Sequence, residues 1–416
     1  MRTLPLLCCL LSGFTLHAAA AGWTQWRGAM RDGVSSETGL LKSWPQGGPK
    51  LAWHIKGLGK GWSSVAVADG KILTMGNRQG GQHVVAYDVA TQKEVWSALV
   101  SKHGGEPRCT PTIAGGMVYA LSDDGEMLCC SAADGREVWR KSYKKEFGDP
   151  PKPSWQFSES PLVDGDRVIV TPGHAEHFMV ALNARNGDVI WTTKAELEGG
   201  GHDGAGYTGA VISNGAGVKQ YVSMVGKGAI GVSATDGKLL WHYNKVANRT
   251  AVIPTPLVWD DYVFVSSGYQ TGAALLKLSK DGSGVKAEEQ YFLEHKQFQN
   301  HHGGMVRIGD YIYAGTGHNN GFPICIEWKT GKTVWNQDRG PGRESAAVIA
   351  ADGNLYFRYQ DGIMALISAS PDGYKENGSF KLPFIDGESW PHPAIDGGKL
   401  YLRSHDVLMC FDLKAS

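Results

Sequence analysis

His83-Val84-Val85-Ala86-Tyr87-Asp88-Val89-Ala90-Thr91-Gln92-Lys93-Glu94-Val95-Trp96 reads as an apolar run, a turn, and a second run closed by an aromatic. The phrase returns from Met127 to Trp139, with Asp134-Gly135 at its turn, and from Val180 to Trp191, with Asn186-Gly187. Followed along the chain, the closing aromatics fall at Trp53, Trp96, Trp139, Trp191, Trp241, Phe292, Trp335 and Phe380, at intervals of 43 to 52 residues. Each unit also holds a β-branched, aromatic-rich run, such as Ile72–Met75, Val263–Ser266 or Leu400–Arg403. Most of these runs follow a hairpin turn, such as Asp69-Gly70 or Gly397-Gly398; this is the pattern of paired antiparallel strands. A four-stranded unit repeating at this period predicts a β-propeller. The eighth unit ends after its third strand, Val407 to Leu413, and Leu51-Ala52-Trp53 supplies the missing fourth. The expected fold is all-β: eight four-stranded antiparallel blades, with the ring closed by pairing N- and C-terminal strands in one blade. Closure removes the exposed edges of an open array. The fifth and seventh units depart from the consensus by lengthening a turn, at Lys280–Gly284 and Ser370–Gly373.

The chain has 416 residues with Lys+Arg and Asp+Glu balanced at 41 each. No basic stripe or acidic tail stands out, which excludes nucleic acid as an expected partner. Arg2, the apolar stretch Leu4 to Leu16 and Ala18-Ala19-Ala20-Ala21 read as a secretory signal peptide over residues 1–21. Leu7 stands before Cys8 where a lipoprotein signal wants a small residue. Residues 22–50 read as an irregular N-terminal extension and 51–416 as the propeller. No other hydrophobic run reaches membrane-spanning length. The expectation is a soluble, monomeric protein, periplasmic or secreted. Beyond the leader, Cys109, Cys129, Cys130, Cys325 and Cys410 are odd in number, so at least one thiol stays unpaired in an oxidising compartment. Cys129, Cys325 and Cys410 take the repeat position of Ala86 and Ala181 and read as small buried residues.

In a propeller, the loop before the first strand and the turn joining strands two and three open on one face around the channel. Registering the units on their hairpin turns places Ser64, Thr110, Ser160, Thr255, Gly304, Ala347 and His392 at one common position. Two residues earlier stand Trp62, Arg108, Ser158, Tyr207, Ile253, His302, Ser345 and Trp390, and two earlier again Glu106, Gln156, Asn300, Arg343 and Glu388. A structural ring repeats itself, as Ser/Thr does at the first position, whereas the outer positions vary. Trp62, Arg108, Gln156, Tyr207, Asn300, His302, Arg343, Trp390 and His392 are therefore the candidate ligand-binding residues of a funnel. Tryptophan faces suit sugar rings or planar ligands, and arginine suits a carboxylate. The alternative for the same residues is a solvated rim whose aromatics wedge between blades. The expected partner is a protein segment or a saccharide-like ligand.

Histidines recur beside the funnel: His301, His302 and His318 in the sixth unit, His392 and His405 in the eighth. His302, His318, His392 and His405 are the candidate set for a zinc or manganese ion; the alternative is ordinary polar loop histidines, and no metal is the expected state. No Gly-x-Ser-x-Gly, His-Glu-x-x-His or phosphate-loop motif occurs. Glu106 and Glu388 are the only candidate paired carboxylates across the funnel.

Ala181-Leu182-Asn183-Ala184-x-x-Gly187-x-x-x-Trp191, echoed in most units, resembles the tryptophan-docking repeat of quinoprotein-like propellers. The resemblance covers nearly all the chain beyond the leader, including Trp23-x-x-Trp26-Arg27-Gly28. It spans PQQ-dependent alcohol dehydrogenases and the non-enzymatic propeller of the outer-membrane β-barrel assembly machinery. The first would imply PQQ on a Trp face with calcium, a catalytic carboxylate and often a vicinal disulfide. Cys129-Cys130 is a vicinal pair, but the repeat places it in a regular third strand, where side chains alternate faces. No Cys-x-x-Cys-His is present for a covalent haem. The expected role is a non-catalytic exported binding or assembly module with no cofactor. The alternative is a periplasmic enzyme, either a PQQ- and calcium-dependent oxidoreductase or a polysaccharide lyase. The lyase would use clustered His302, His318 and His392, or Tyr207 and Arg343 as base and charge neutraliser.

Overall fold

Each repeat folds as one blade of a ring, its four strands running outward from a central channel. The computed structural model describes residues 22–282 and 284–414; the signal-peptide reading of residues 1–21 falls outside them. Seven blades have four strands in sequential order, blade seven gaining Val34–Ser35 as a fifth strand of its sheet, and the eighth blade has the order Leu51–Lys56, Val407–Asp412, Lys399–Ser404, Ala394–Asp396. In that blade Trp53 pairs with Cys410, so the chain's early and late strands close the ring. The lengthened turn of the fifth unit is a long hairpin between Gly272–Asp281 and Gly284–Glu294.

The repeated aromatic holds neighbouring blades together. The Nε1 of Trp96, Trp139 and Trp191 donates to the carbonyl of Ala132, Ala184 and Ala234 in the next blade, at 3.2, 3.0 and 3.3 Å. The indole also lies on the glycine of that blade's outer turn. A Cβ at Gly135, Gly187 or Gly237 would stand 2.6, 2.9 or 2.5 Å from the ring. Glycine is needed there twice over, because its φ is also positive, between +72° and +76° at these three. In all eight blades the pairing of strands three and four shifts register, and in six the shift immediately precedes the closing tryptophan. In blades five and seven it puts Tyr291 and Gly378, not the expected Phe292 and Phe380, at the docking position, and Tyr291 Oη donates to Trp328 O at 2.6 Å. Such a bulge re-aims the side chain toward the neighbouring blade. Trp241 departs from the scheme: it donates to Gln220 Oε1 in its own blade at 2.6 Å, since the long fifth hairpin replaces the turn on which it would dock.

Residues 22–36 run inside the channel. Trp23 O accepts from Val67 N in blade one and Thr24 O from Ile113 N in blade two. Arg31 donates to Ser160 O (3.0 Å), Pro161 O and Ala210 O (3.1 Å) at blades three and four. Trp26 Nε1 donates to Thr255 Oγ1 (2.9 Å) at blade five. Arg27 reaches Met305 O (2.5 Å) and Val348 O (3.1 Å) in blades six and seven. Trp23 N meets Asp396 Oδ1 (3.3 Å) in blade eight. Val34–Ser35 then pairs in parallel with Ala350–Ala351. One segment thus bonds to every blade. Arg27 and Arg31 are fully buried without a carboxylate ion pair among the described residues. Burial lowers their pKa to about 10 and about 9, and backbone carbonyls take up the guanidinium protons.

All five cysteines of the described residues are buried and free. Cys129 and Cys130 sit in the strand Glu126–Ser131, paired on both sides, and burial pushes both thiols up to about 12.

Candidate functional site

The Ser/Thr positions form a structural relay around the channel mouth. His392 N donates to Ser64 Oγ (2.7 Å), Ser64 N to Thr110 Oγ1 (3.2 Å), and Thr110 N to Ser160 Oγ (2.9 Å). The segments leading into the first strands of blades eight, one, two and three are thereby pinned to one another, which fixes the loop residues just ahead of them.

Those loop residues surround a cavity of about 260 Å³. Of the ring two residues before the relay, Trp62, Arg108, Ser158, Tyr207, Ile253, His302 and Trp390 all line it. His392 lines it from the relay position. Trp26, at the tip of the channel segment, lies 4.4 Å from the His392 ring and also borders the cavity. Trp62 and Trp390 stack 4.3 Å apart at 35°. Trp155 and Tyr269, from loops that carry no repeat register, complete the aromatic lining. Trp155 is 43% exposed at the rim, and Tyr207 Oη accepts from its backbone N–H at 3.3 Å. A third-strand turn is one of the two loop types expected at this mouth, so Tyr269 was findable; Trp155 stands beside Gln156 and was missed by one position.

Three candidates lie elsewhere. Asn300 is buried and staples its own loop: Nδ2 donates to Gly304 O and Gly315 O, and Oδ1 accepts from Gly304 N. Arg343 is exposed, and its backbone N–H bonds Asp361. Gln156 takes a left-handed conformation with φ +64° and is absent from the cavity wall. Glu106 and Glu388 do not border it either, and no lining residue is Asp or Glu.

The imidazoles are neutral and structurally engaged. His392 Nε2 donates to His302 O (3.0 Å), so Nδ1 accepts from Arg27 (3.3 Å); burial and Arg27 push its pKa well below the usual value. His301 bonds Ser345 Oγ (2.6 Å) and Tyr269 Oη (2.9 Å) and is pushed down to about 2, chiefly by burial. Burial lowers His302 to about 4. His405 Nδ1 accepts from Gly61 N at 3.3 Å. The ligand atoms of His302, His318, His392 and His405 do not converge. Among the described residues, one group alone brings three such atoms within 4.8 Å, His103, Asp123 and Asp124. It is held by Gln82, Ser101 and Ser122 and reads as a hydrogen-bonded cluster that anchors turns.

A calcium-held quinone does not fit this lining. Calcium takes several oxygen ligands, carboxylates foremost, and the wall offers none. The vicinal cysteines lie in a blade interior, outside the cavity lining.

Ring, docking tryptophans and funnel together define a quinoprotein-like propeller with PQQ-like repeats. A family profile described as outer membrane protein assembly factor BamB matches residues 15–147 and 81–337. The chain belongs to that family. It is 26% identical to the BamB of Burkholderia pseudomallei over 321 residues, 74% of each chain. With the BamB of Shewanella oneidensis it shares 24% over 263 residues, 61% of this chain and 62% of that one. The match to the Marinobacter adhaerens BamB, 28% over 112 residues, spans 27% of this chain and only 25% of that protein. Among solved structures, Moraxella catarrhalis BamB superposes with a TM-score of 0.59 at 13% identity, covering 88% of this chain and 98% of that one. Quinohemoprotein alcohol dehydrogenase from Comamonas testosteroni gives 0.64 at 12%, covering 96% and 82%. At these identities the structural likeness concerns the fold.

Proposed function

We propose that this protein is an exported, non-catalytic binding module of the cell envelope that receives its partner at the aromatic funnel. The observation that carries this reading is a wall rich in aromatic faces, with one arginine and no carboxylate or activated nucleophile. Of the lyase pair, Arg343 lies outside the cavity. Burial raises the Tyr207 hydroxyl above its ordinary range, which makes it a poor base. The family's name supports a role in outer-membrane protein assembly with a protein segment as partner; the tryptophan faces of the wall are what favour a saccharide-like ligand as the other class. Residues 1–21 act as the export signal, 22–50 as the N-terminal extension and 51–416 as the propeller; the mature chain works in the periplasm as a monomer. No helix among the described residues is long and apolar enough to cross a membrane.

The test is photo-crosslinking in the native envelope, from a photoreactive residue at Trp155 on the funnel rim and at the exposed Val334 on the outer strand as a control. A discrete adduct from position 155 alone is expected. Equal or absent labelling from both positions would overturn the reading. In a parallel arm, the melting temperature is followed against PQQ with and without calcium. No calcium-dependent rise is expected, and a saturable one would restore the oxidoreductase.

A further inference from the structure

Most polar groups of the funnel wall are bonded within the protein, but three, distributed around its circumference, keep unused hydrogen-bonding capacity. Arg108, from blade two, bonds only Glu106 O, at 3.3 Å, and forms no ion pair among the described residues. Its nearest acids act through space only: Glu106, outside the wall, and Asp123, whose carboxylate is taken by His103 and Gln82. Two further lining residues, Trp390 from blade eight and His302 from blade six, carry buried ring nitrogens with no protein partner, Nε1 and Nε2. Leaving such groups unmatched under a bound ligand costs about 1–3 kcal/mol each. A ligand that satisfies all three must carry hydroxyls, which donate or accept, around its edge and an anionic group on one side. Between them it must present apolar faces to Trp62, Trp390 and Tyr207.

Resting on the reading of the funnel as a binding site, we infer that it takes a carboxylate-bearing pyranose, a uronic acid residue. The carboxylate sits on the Arg108 guanidinium, ring hydroxyls meet Trp390 Nε1 and His302, and the axial C–H faces stack on the indoles. The floor is closed by Trp26, held through Thr255 and His392, so the sugar enters and leaves through the mouth beside Trp155. An aromatic acid satisfies Arg108 and the indoles but leaves Trp390 Nε1 and His302 Nε2 without partners. A neutral hexose does the converse.

The experiment is quenching of intrinsic tryptophan fluorescence by galacturonate, with its methyl ester, glucose and benzoate as separate arms. Saturable quenching by galacturonate, about tenfold or more tighter than by any of the three, is expected, in line with one charge-assisted hydrogen-bond pair. Arg108→Gln should abolish the preference over the methyl ester. Trp155→Ala, at an exposed site, should weaken galacturonate binding while leaving the melting temperature unchanged. Equal binding of the methyl ester or of benzoate, or no saturable response to galacturonate, would overturn the inference. If galacturonate fails while the funnel crosslink at position 155 persists, only the ligand class falls. If both fail, the binding-module reading falls with it.

Discussion

Arg31 offers the sharpest test of the channel segment. Its guanidinium is fully buried and donates to Gln25 Oε1 at 2.8 Å and to Ser160, Pro161 and Ala210 carbonyls of two blades. Arg31→Met keeps much of the length but removes all four donations, leaving the acceptors in a space that water does not readily reach. Hydrogen bonds from a charged donor contribute about 1.5–3 kcal/mol each. Offsetting this, methionine avoids the desolvation cost that lowers the Arg31 pKa to about 9. The balance is a loss of about 4 kcal/mol. A chain of this length has an unfolding entropy near 0.8 kcal/mol per kelvin, so the melting temperature should fall by about 5 °C. Differential scanning calorimetry measures it directly. Arg31→Lys retains the charge without the planar fork and should recover less than half of the drop. If Arg31→Met melts within about 1 °C of the wild type, the carbonyl cage does not hold the ring, and the reasoning fails.

Glu159 is buried beside Tyr143 and Thr171, and burial raises its pKa from 4.5 to about 7. The folded state therefore binds a proton that the unfolded state has already released, and stability falls as pH rises between 4.5 and 7, by about 3 kcal/mol. Glu159→Gln removes this component. Its melting temperature should gain about 4 °C on the wild type between pH 4.5 and pH 8, and a constant offset would refute the assignment. Gly237→Ala should cost about 3 kcal/mol, because its Cβ meets Trp191 at 2.5 Å at φ +74°, whereas Gly353→Ala, with φ +80° and open space, should cost about 1. Equal denaturation midpoints for the two variants would contradict the docking account.

The repeat was legible because its determinants are local: a glycine at positive φ and an aromatic three or four residues on. Trp62, Arg108, Tyr207, His302 and Trp390 were legible for a related reason, standing a fixed two residues ahead of the common position that is counted back from the hairpin turn at the end of the first strand. One step farther out the register fails, since the backbone there is no longer extended. Gln156 has φ +64°, Glu344 beside Arg343 has φ +65°, and Asn300 folds back on its own loop. Alternation of side chains cannot be carried across a left-handed residue. Trp155 and Tyr269 lie in loops without a repeat to align. Trp26 and its segment had no periodic signal at all; their place follows from contacts with Thr255, Met305 and Val348, more than 200 residues away in sequence.

The channel segment also bears on the order of assembly. Residues 22–36 precede every blade in the chain, yet their bonding partners extend to Asp396, and the strand at Leu51–Lys56 waits for Val407–Asp412. Both are loop closures across most of the chain, and such closures slow folding because their entropic cost comes before any reward. Blades one to seven can pair strands locally as they appear; the channel segment cannot, and its bonds are completed one blade at a time, the last of them to Asp396.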